Sequence, residues 1–164
     1  MTANTKQIFD ACCGGRLFYF DKEDERVLFN DRFPRIETLS DGRIFKCVPD
    51  TSHDFTNLPF PDNTFNLVVY DPPHSQRAGE YSNTKKTYGK INTFDDIVKG
   101  FRECYRITNG TLIFKWNDHD FKINEVIEAF GVMPVFGQRR NSAGQGSNEG
   151  KGKSNTIWLV FYKA

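Results

Sequence analysis

The sequence predicts an α/β fold: a mostly parallel central sheet with helices on both faces, closed by an antiparallel strand from a C-terminal hairpin. Three observations lead there. Short apolar runs alternate with segments of helical periodicity, the pattern of strand–crossover–strand units. One run, FNLVVYD (65–71), is almost continuously apolar, as a strand covered on both faces must be. Finally, the last two strand candidates have no helix between them, so they pair directly as a hairpin.

The elements follow in order. Residues 7–11 form a brief strand that ends at Asp10 and a cysteine-glycine turn. RVLFND (26–31) is a second strand ending in an acid, IFKCV (44–48) a third and FNLVVYD a fourth. A polar loop over 75–92 is expected to be mobile. A helix then starts at Thr93, whose hydroxyl suits an N-cap before acids in the first turn; Phe94, Ile97, Val98, Phe101 and Tyr105 make its apolar stripe. TNG (108–110) stops that helix, and TLIFKW (111–116) is the fifth strand. Asp118 or Asp120 caps a further helix running to Phe130, with Ile123, Val126, Ile127 and Phe130 inward. A weak strand over 133–136 leads into a second mobile loop, the Gly/Ser/Asn/Lys/Arg-rich 137–155. TIWLVFYK (156–163) closes the chain as a strand.

The 164 residues suffice for one domain, 1–164, with a single substantial core. A net charge of +1 excludes a global electrostatic drive toward nucleic acid or membrane, so polyanion binding would need a local patch. No apolar run reaches membrane-spanning length and the N-terminus does not read as a signal peptide. The four cysteines are scattered through apolar segments, and no CxxC pair points to zinc, so no metal is expected. A reduced, cytoplasmic protein, of a bacterial or phage-infected cell, is the reading. Cys12 and Cys13 read as small packing residues.

Open sheets of this class bind ligands at the carboxyl ends of their strands. Asp10, Asp31, Asp54 and Asp71 each fall at or just after a strand end, and that coincidence says more than any one acid. In DACCGGR (10–16), Gly14 and Gly15 would let backbone approach a ligand closely, although no GK[ST] follows to make a phosphate loop. Asp31, about twenty residues on, can accept two hydrogen bonds from ribose hydroxyls or cap the segment that follows.

DFTNLPFPDNTFNLVVYDPP (54–73) resembles the middle of class I S-adenosylmethionine-dependent methyltransferases, and the resemblance extends over nearly the whole chain. It implies their Rossmann-like fold and S-adenosyl-L-methionine as cofactor. On this resemblance Asp54 binds the adenine amino group, Phe55 lies against the ring and Asp31 binds the ribose. DACCGGR, with Asp10, Ala11, Cys12 and Gly14, matches the glycine-turn motif of the cofactor site. Asp71, Pro72 and Pro73 match the amino-methyltransferase signature, Asp-Pro-Pro followed by an aromatic residue, and Asp71 also borders the cofactor. The chain is most similar to small phage-type DNA methyltransferases. Two positions depart from the pattern: His74 stands where the family has Tyr, Phe or Trp, and Arg16 where it has a third glycine. Planar imidazole can stack on a base, or can simply cap the turn.

The signature has a chemical rationale. An exocyclic amine donates its lone pair into the ring and is a poor nucleophile. The Asp71 carboxylate and the Pro72 carbonyl, accepting its two N–H bonds, would favour the pyramidal amine. Consecutive prolines hold those acceptors in place. The implied activity is N-methylation of a nucleobase, adenine in DNA first, with RNA, a protein amide or a catalytically degenerate nucleic-acid-binding subunit as alternatives. Arg77, Lys85 and Lys86 in the first loop, Lys115 at the fifth strand's tip, and Arg139 and Arg140 in the second suit phosphate contact, although such loops are also often merely solvated. With no separate target-recognition domain visible, recognition would fall to these loops, a partner protein or a homo-oligomer.

Overall fold

A computed structural model describes residues 6–75, 79, 82–90, 93–118, 120–141 and 155–164, without the side chains of 139–141 and 155. The strands are β1 (Ile8–Asp10), β2 (Val27–Phe29), β3 (Arg35–Thr38), β4 (Ile44–Cys47), β5 (Phe65–Tyr70), β6 (Thr108–Asn117), β7 (Phe136–Asn141) and β8 (Asn155–Tyr162). The helices are α1 (Asn83–Tyr88), α2 (Phe94–Ile107) and α3 (Ile123–Phe130). Six strands form the main sheet in the order β2-β1-β5-β6-β8-β7. β2, β1, β5 and β6 run parallel, whereas β8 pairs antiparallel with both β6 and β7, as a C-terminal hairpin requires.

IFKCV is not a third strand of that sheet. It pairs antiparallel with β3, an element the sequence reading missed, as a separate two-stranded ribbon. All that remains at the sheet's β2 edge is one parallel bridge, Asn30 to Thr51. The 75–92 segment also differs from a plain loop, since it contains α1, capped by the Ser82 hydroxyl accepting from the Lys85 N–H at 3.1 Å. TNG does not end α2 as a separate turn. Thr108 is already the first residue of β6, and its hydroxyl donates to the Cys104 carbonyl at 2.6 Å, satisfying a terminal carbonyl without a glycine. Neither Asp118 nor Asp120 caps α3; Lys122 holds that position. The final hairpin is longer than expected, with β7 starting at Phe136 rather than ending there.

Strand alternation divides the core. Phe9, Val68, Tyr70, Leu112, Phe114, Trp116, Leu159 and Phe161 are buried with α2 and α3 on one face, where Phe101 and Phe130 stack at 3.7 Å. Each such ring removed from water contributes about 1.5–3 kcal/mol. Thr93 caps α2, and Ile97, Val98, Phe101, Cys104 and Ile107 form its buried stripe. On the opposite face the β1–β2 crossover has no helix among the described residues. It runs as turns, with Tyr19 packed edge-on to Phe29 over Cys13 and Val27.

Gly100 is the tightest point of this packing near the strand tips. A Cβ there would lie 2.2 Å from the Tyr70 hydroxyl and 2.6 Å from Phe55. The Tyr70 hydroxyl cannot retreat freely because it donates to the Ile97 carbonyl at 3.0 Å. Gly100→Ala is therefore expected to destabilise the fold by about 1–3 kcal/mol despite the better helix propensity of alanine. Urea unfolding checks this, and an unchanged or higher midpoint would contradict the packing described.

Candidate active site

The parallel strands β1, β2, β5 and β6 end on one edge, which therefore carries Asp10, Asp31, Asp71 and Lys115. The Asn30 side chain stitches this edge together. Fully buried, it donates to the Ala11 and His53 carbonyls at 3.0 and 3.1 Å. Its oxygen accepts from the Thr51 hydroxyl at 2.9 Å and the His53 N–H at 2.8 Å. Asp54 follows directly, so an acid reaches the edge without a third sheet strand beneath it.

A cavity of about 340 Å³ opens here. The glycine turn (Cys12 to Gly15), Asp31, Phe55 and the DPPH segment face it, with Thr87, Tyr88 and Gly89 closing a side. Asp31 accepts from the Gly14 N–H at 3.1 Å and the Phe33 N–H at 2.9 Å, and Arg35 stands 3.4 Å away. Asp54 lies beside the cavity rather than in its wall. It accepts from Thr56 and pairs with Arg32, itself a wall residue, at 3.2 Å. Phe55 is buried against Tyr70. Asp10 and Ala11 are fully buried beneath the turn and do not line the cavity. Burial pushes the Asp10 carboxyl up to about 7, and the Asp71 and Asp31 charges add to this. The Tyr19 hydroxyl at 2.9 Å and the Cys12 N–H at 3.1 Å oppose it by donating to the carboxylate.

Arg16 stands where a third glycine was expected and adopts that glycine's backbone, with φ at +54°. Its guanidinium accounts for the exception. It lies 3.9 Å above the Phe29 ring, donates to the Lys22 and Val48 carbonyls and pairs with Asp50 and Glu23.

Asp71 is largely buried, and burial raises its carboxyl above the ordinary range while the Lys115 ammonium opposes that shift. Lys115 Nζ sits 2.5 Å from Asp71 Oδ2 and faces the Phe18 and Trp158 rings at 5.5 and 5.7 Å. A second cavity, of about 330 Å³, adjoins this pair and is bordered also by Trp116, Asn117 and Thr156. Asp71, His74, Tyr88 and Lys115 line both cavities. The His74 ring is 6.3 Å from Tyr88 and 6.2 Å from Trp116. Pro73 packs beneath, close enough that a Cβ at Gly89 would touch its ring at 3.4 Å.

The basic residues are dispersed. Lys86 donates to the Thr38 carbonyl on the ribbon, and Lys85 shares its short helix. Arg77 lies outside the described residues. Arg139 and Arg140 are in β7, opposite Ile157 and Thr156, and their side chains are likewise outside the description. Sequence reasoning missed Asn30, Arg32, Arg35, Phe18 and Trp158. It placed Lys115 at the right strand tip, as a nucleic-acid contact, without its pairing to Asp71. The sequence alone does not give that pairing: it is the β5–β6 register, with Tyr70 opposite Phe114, that sets Lys115 beside Asp71.

No protein-family model matches the sequence, and no curated protein does. Solved structures do match. An S-adenosylmethionine-dependent methyltransferase from Methanosarcina mazei aligns over 98% of this chain and 93% of its own, with a TM-score of 0.54 at 9% identity. A Pyrococcus horikoshii protein aligns over 94% and 80%, with a TM-score of 0.54 at 12% identity. A Leishmania major S-adenosylmethionine-dependent methyltransferase aligns over 94% of this chain with a TM-score of 0.52 at 13% identity, and the chain spans 63% of its length. The fold is thus the Rossmann-like one of class I methyltransferases.

A titration prediction follows from Asp10. Its folded value of about 7 exceeds the 3.8 of an unperturbed carboxyl, so the folded state keeps a proton that the unfolded chain releases. Stability contributed by this group is present below about pH 4 and declines as pH rises toward 7, by on the order of 4 kcal/mol in all. Asp10→Asn, which cannot ionise, should flatten that decline in denaturant unfolding across pH 4–8. An unchanged slope would contradict the assignment.

Proposed function

We propose that the protein is an S-adenosylmethionine-dependent methyltransferase acting on an exocyclic amino group of a nucleobase, adenine in DNA being the first substrate to test. One observation carries this reading: two cavities of similar size meet at Asp71, His74, Tyr88 and Lys115. A transfer reaction is served by that arrangement, in which donor and acceptor can be bound in adjoining sites. The fold of the structural neighbours favours the same chemistry.

The larger cavity fits the cofactor. Its volume lies within the range for small-molecule sites. The Asp31 carboxylate would take ribose hydroxyls, the Phe55 edge an adenine face, and Gly14, with φ at +50° and open space where a Cβ would stand, would allow close approach to the backbone. Asp54 would receive the adenine amino group once Arg32 yields it. The bound cofactor supplies an electrophilic methyl group on a sulfonium. Everything else falls to the chain. The Asp71 carboxylate accepts an N–H of the acceptor amine, and the Pro72 carbonyl, fixed between constrained residues, accepts the other. Lys115 opposes the pull of burial on Asp71 and so favours the ionised form that the acceptor role requires. His74, between Tyr88 and Trp116, offers the planar face on the acceptor side. A base reaching this site must leave its stack.

A second reading draws on the two ion pairs. Lys115 on Asp71 and Arg32 on Asp54 would equally suit a subunit that binds cofactor and nucleic acid without transferring a methyl group. Incubation with methyl-labelled S-adenosylmethionine and separate DNA, RNA and protein pools, followed by product identification, separates the two. Label in N6-methyladenine of DNA is expected. Cofactor binding with no transfer to any pool would select the binding-only reading.

Two variants test the roles. Asp71→Ala should reduce transfer by about 100-fold or more while leaving the cofactor dissociation constant nearly unchanged. Lys115→Met should lower the rate and shift its acidic limb to higher pH, because Asp71 loses the charge that opposes its protonation. Wild-type activity in Asp71→Ala would refute the catalytic assignment.

A further inference from the structure

We propose that Cys13, Cys47 and Asp31 form a binding site for a thiophilic divalent cation, of the Zn²⁺ or Cd²⁺ class, in the wall of the larger cavity. The two sulfurs and a carboxylate oxygen of Asp31 all lie within 4.8 Å of one another. Tetrahedral coordination at about 2.3 Å from each sulfur would bring the sulfurs to about 3.8 Å, so only a slight contraction is needed. Two thiolates with one carboxylate make a donor set that soft and borderline cations prefer to Mg²⁺ or Ca²⁺.

The three residues come from separate segments. Cys13 follows β1, Asp31 follows β2 and Cys47 ends β4. The β3–β4 ribbon, standing where the main sheet has no third strand, brings Cys47 to the glycine turn. No sequence spacing announces such a site, and the absence of a CxxC pair therefore says nothing against it. Both cysteines are free thiols buried in the fold, and the Cys13 thiol is hydrogen-bonded to Cys47. Cys13 Sγ also reaches the Gly14 carbonyl at 3.7 Å. Cys13 and Asp31 face the cavity, which provides an entry path and leaves a fourth position for solvent. Two features oppose uptake: Arg35, 3.4 Å from Asp31, must yield as the cation enters, and the Cys13 thiol, pushed up by its bond to Cys47 and by burial, must release its proton.

Metal uptake does not depend on the methyl-transfer reading, although its consequence does. A cation held by Asp31 occupies the carboxylate assigned to the ribose, so metal and cofactor would exclude each other.

The test is titration of the reduced protein with Cd²⁺, followed by the near-ultraviolet thiolate-to-metal absorption. One equivalent per chain should produce the band. Cys13→Ser and Cys47→Ser should each abolish it, while Cys104→Ser retains it. Asp31→Asn should keep the band but weaken binding by about tenfold or more. Absence of a band in the reduced wild type, or a band that survives both serine variants, would overturn the site. Should a serine variant fail to fold, the wild type alone decides. The cadmium X-ray absorption of the wild type must then show two sulfur neighbours, and a shell of oxygen and nitrogen alone overturns the site. A protein that shows the band yet binds no S-adenosylmethionine would sink the functional reading and leave the metal site standing.

Discussion

The acidic edge of this molecule depends on one buried amide. Asn30 commits both of its donors and both acceptor positions of its oxygen to groups on two other segments, so that three are tied together. Each segment delivers an acid one residue away from the contact: Ala11 follows Asp10, Asn30 precedes Asp31, and His53 precedes Asp54. The amide thereby joins the backbone pairing in setting the separation of these carboxylates, where β1 and β2 are only three residues long. A buried network satisfied at every member is rigid, whereas one lost partner would leave several polar groups dry. No aliphatic residue of similar size could replace it.

That amide also explains how the fold tolerates a missing sheet strand. With only the Asn30–Thr51 bridge at the β2 edge, the segment ending in Asp54 is held by a few backbone bonds, from the Asp50 and Thr51 N–H groups to the Phe29 carbonyl and from the Asp31 N–H to the Thr51 carbonyl, and by the Asn30 side chain. The chain between is released to form the β3–β4 ribbon, which carries a new wall for the cavity. Arg35 fastens that wall. Its guanidinium donates to the Lys86 and Thr87 carbonyls at the end of α1, lies 5.3 Å from the Phe45 ring centroid, and reaches Asp31. α1 has no buried residue of its own and is too short to persist unaided. It exists because the ribbon receives its carbonyls.

These facts separate what was legible in the sequence from what was not. β1, β2, β5, β8, the body of β6 and α2 were readable because apolar burial and period coincide in them, and the acids at their ends were readable because strand ends are. β3, with exposure alternating along Arg-Ile-Glu-Thr, has too little apolar character to announce itself. α1 depends on a distant arginine, and the α2–β6 junction on one threonine hydroxyl in place of a glycine stop. Asn30 carries no sequence signal beyond being a polar residue at a strand end. The site divided the same way: Asp31, Phe55 and the DPPH segment meet at one cavity, whereas the cations that occupy Asp54 and Asp71 could be found only through register and tertiary contact.

The Asp71–Lys115 pair shows why the second group matters. Burial alone would move Asp71 toward its neutral form, in which one oxygen becomes a donor and is useless for accepting an amine hydrogen. A permanent bidentate partner such as arginine would correct the charge but fill both oxygens in a fixed fork. Lysine is a compact charge on a flexible stem, and here it contacts a single oxygen, Oδ2. The Phe18 and Trp158 rings, each within 6 Å of the ammonium, offer it a second resting place at a modest electrostatic gain. On the methyl-transfer reading, Lys115 can hold Asp71 ionised before the acceptor arrives and move against the rings as the amine takes its place. The same geometry gives the aromatic pair, packed edge-on to each other, a charge to face on the side of the sheet opposite α2 and α3.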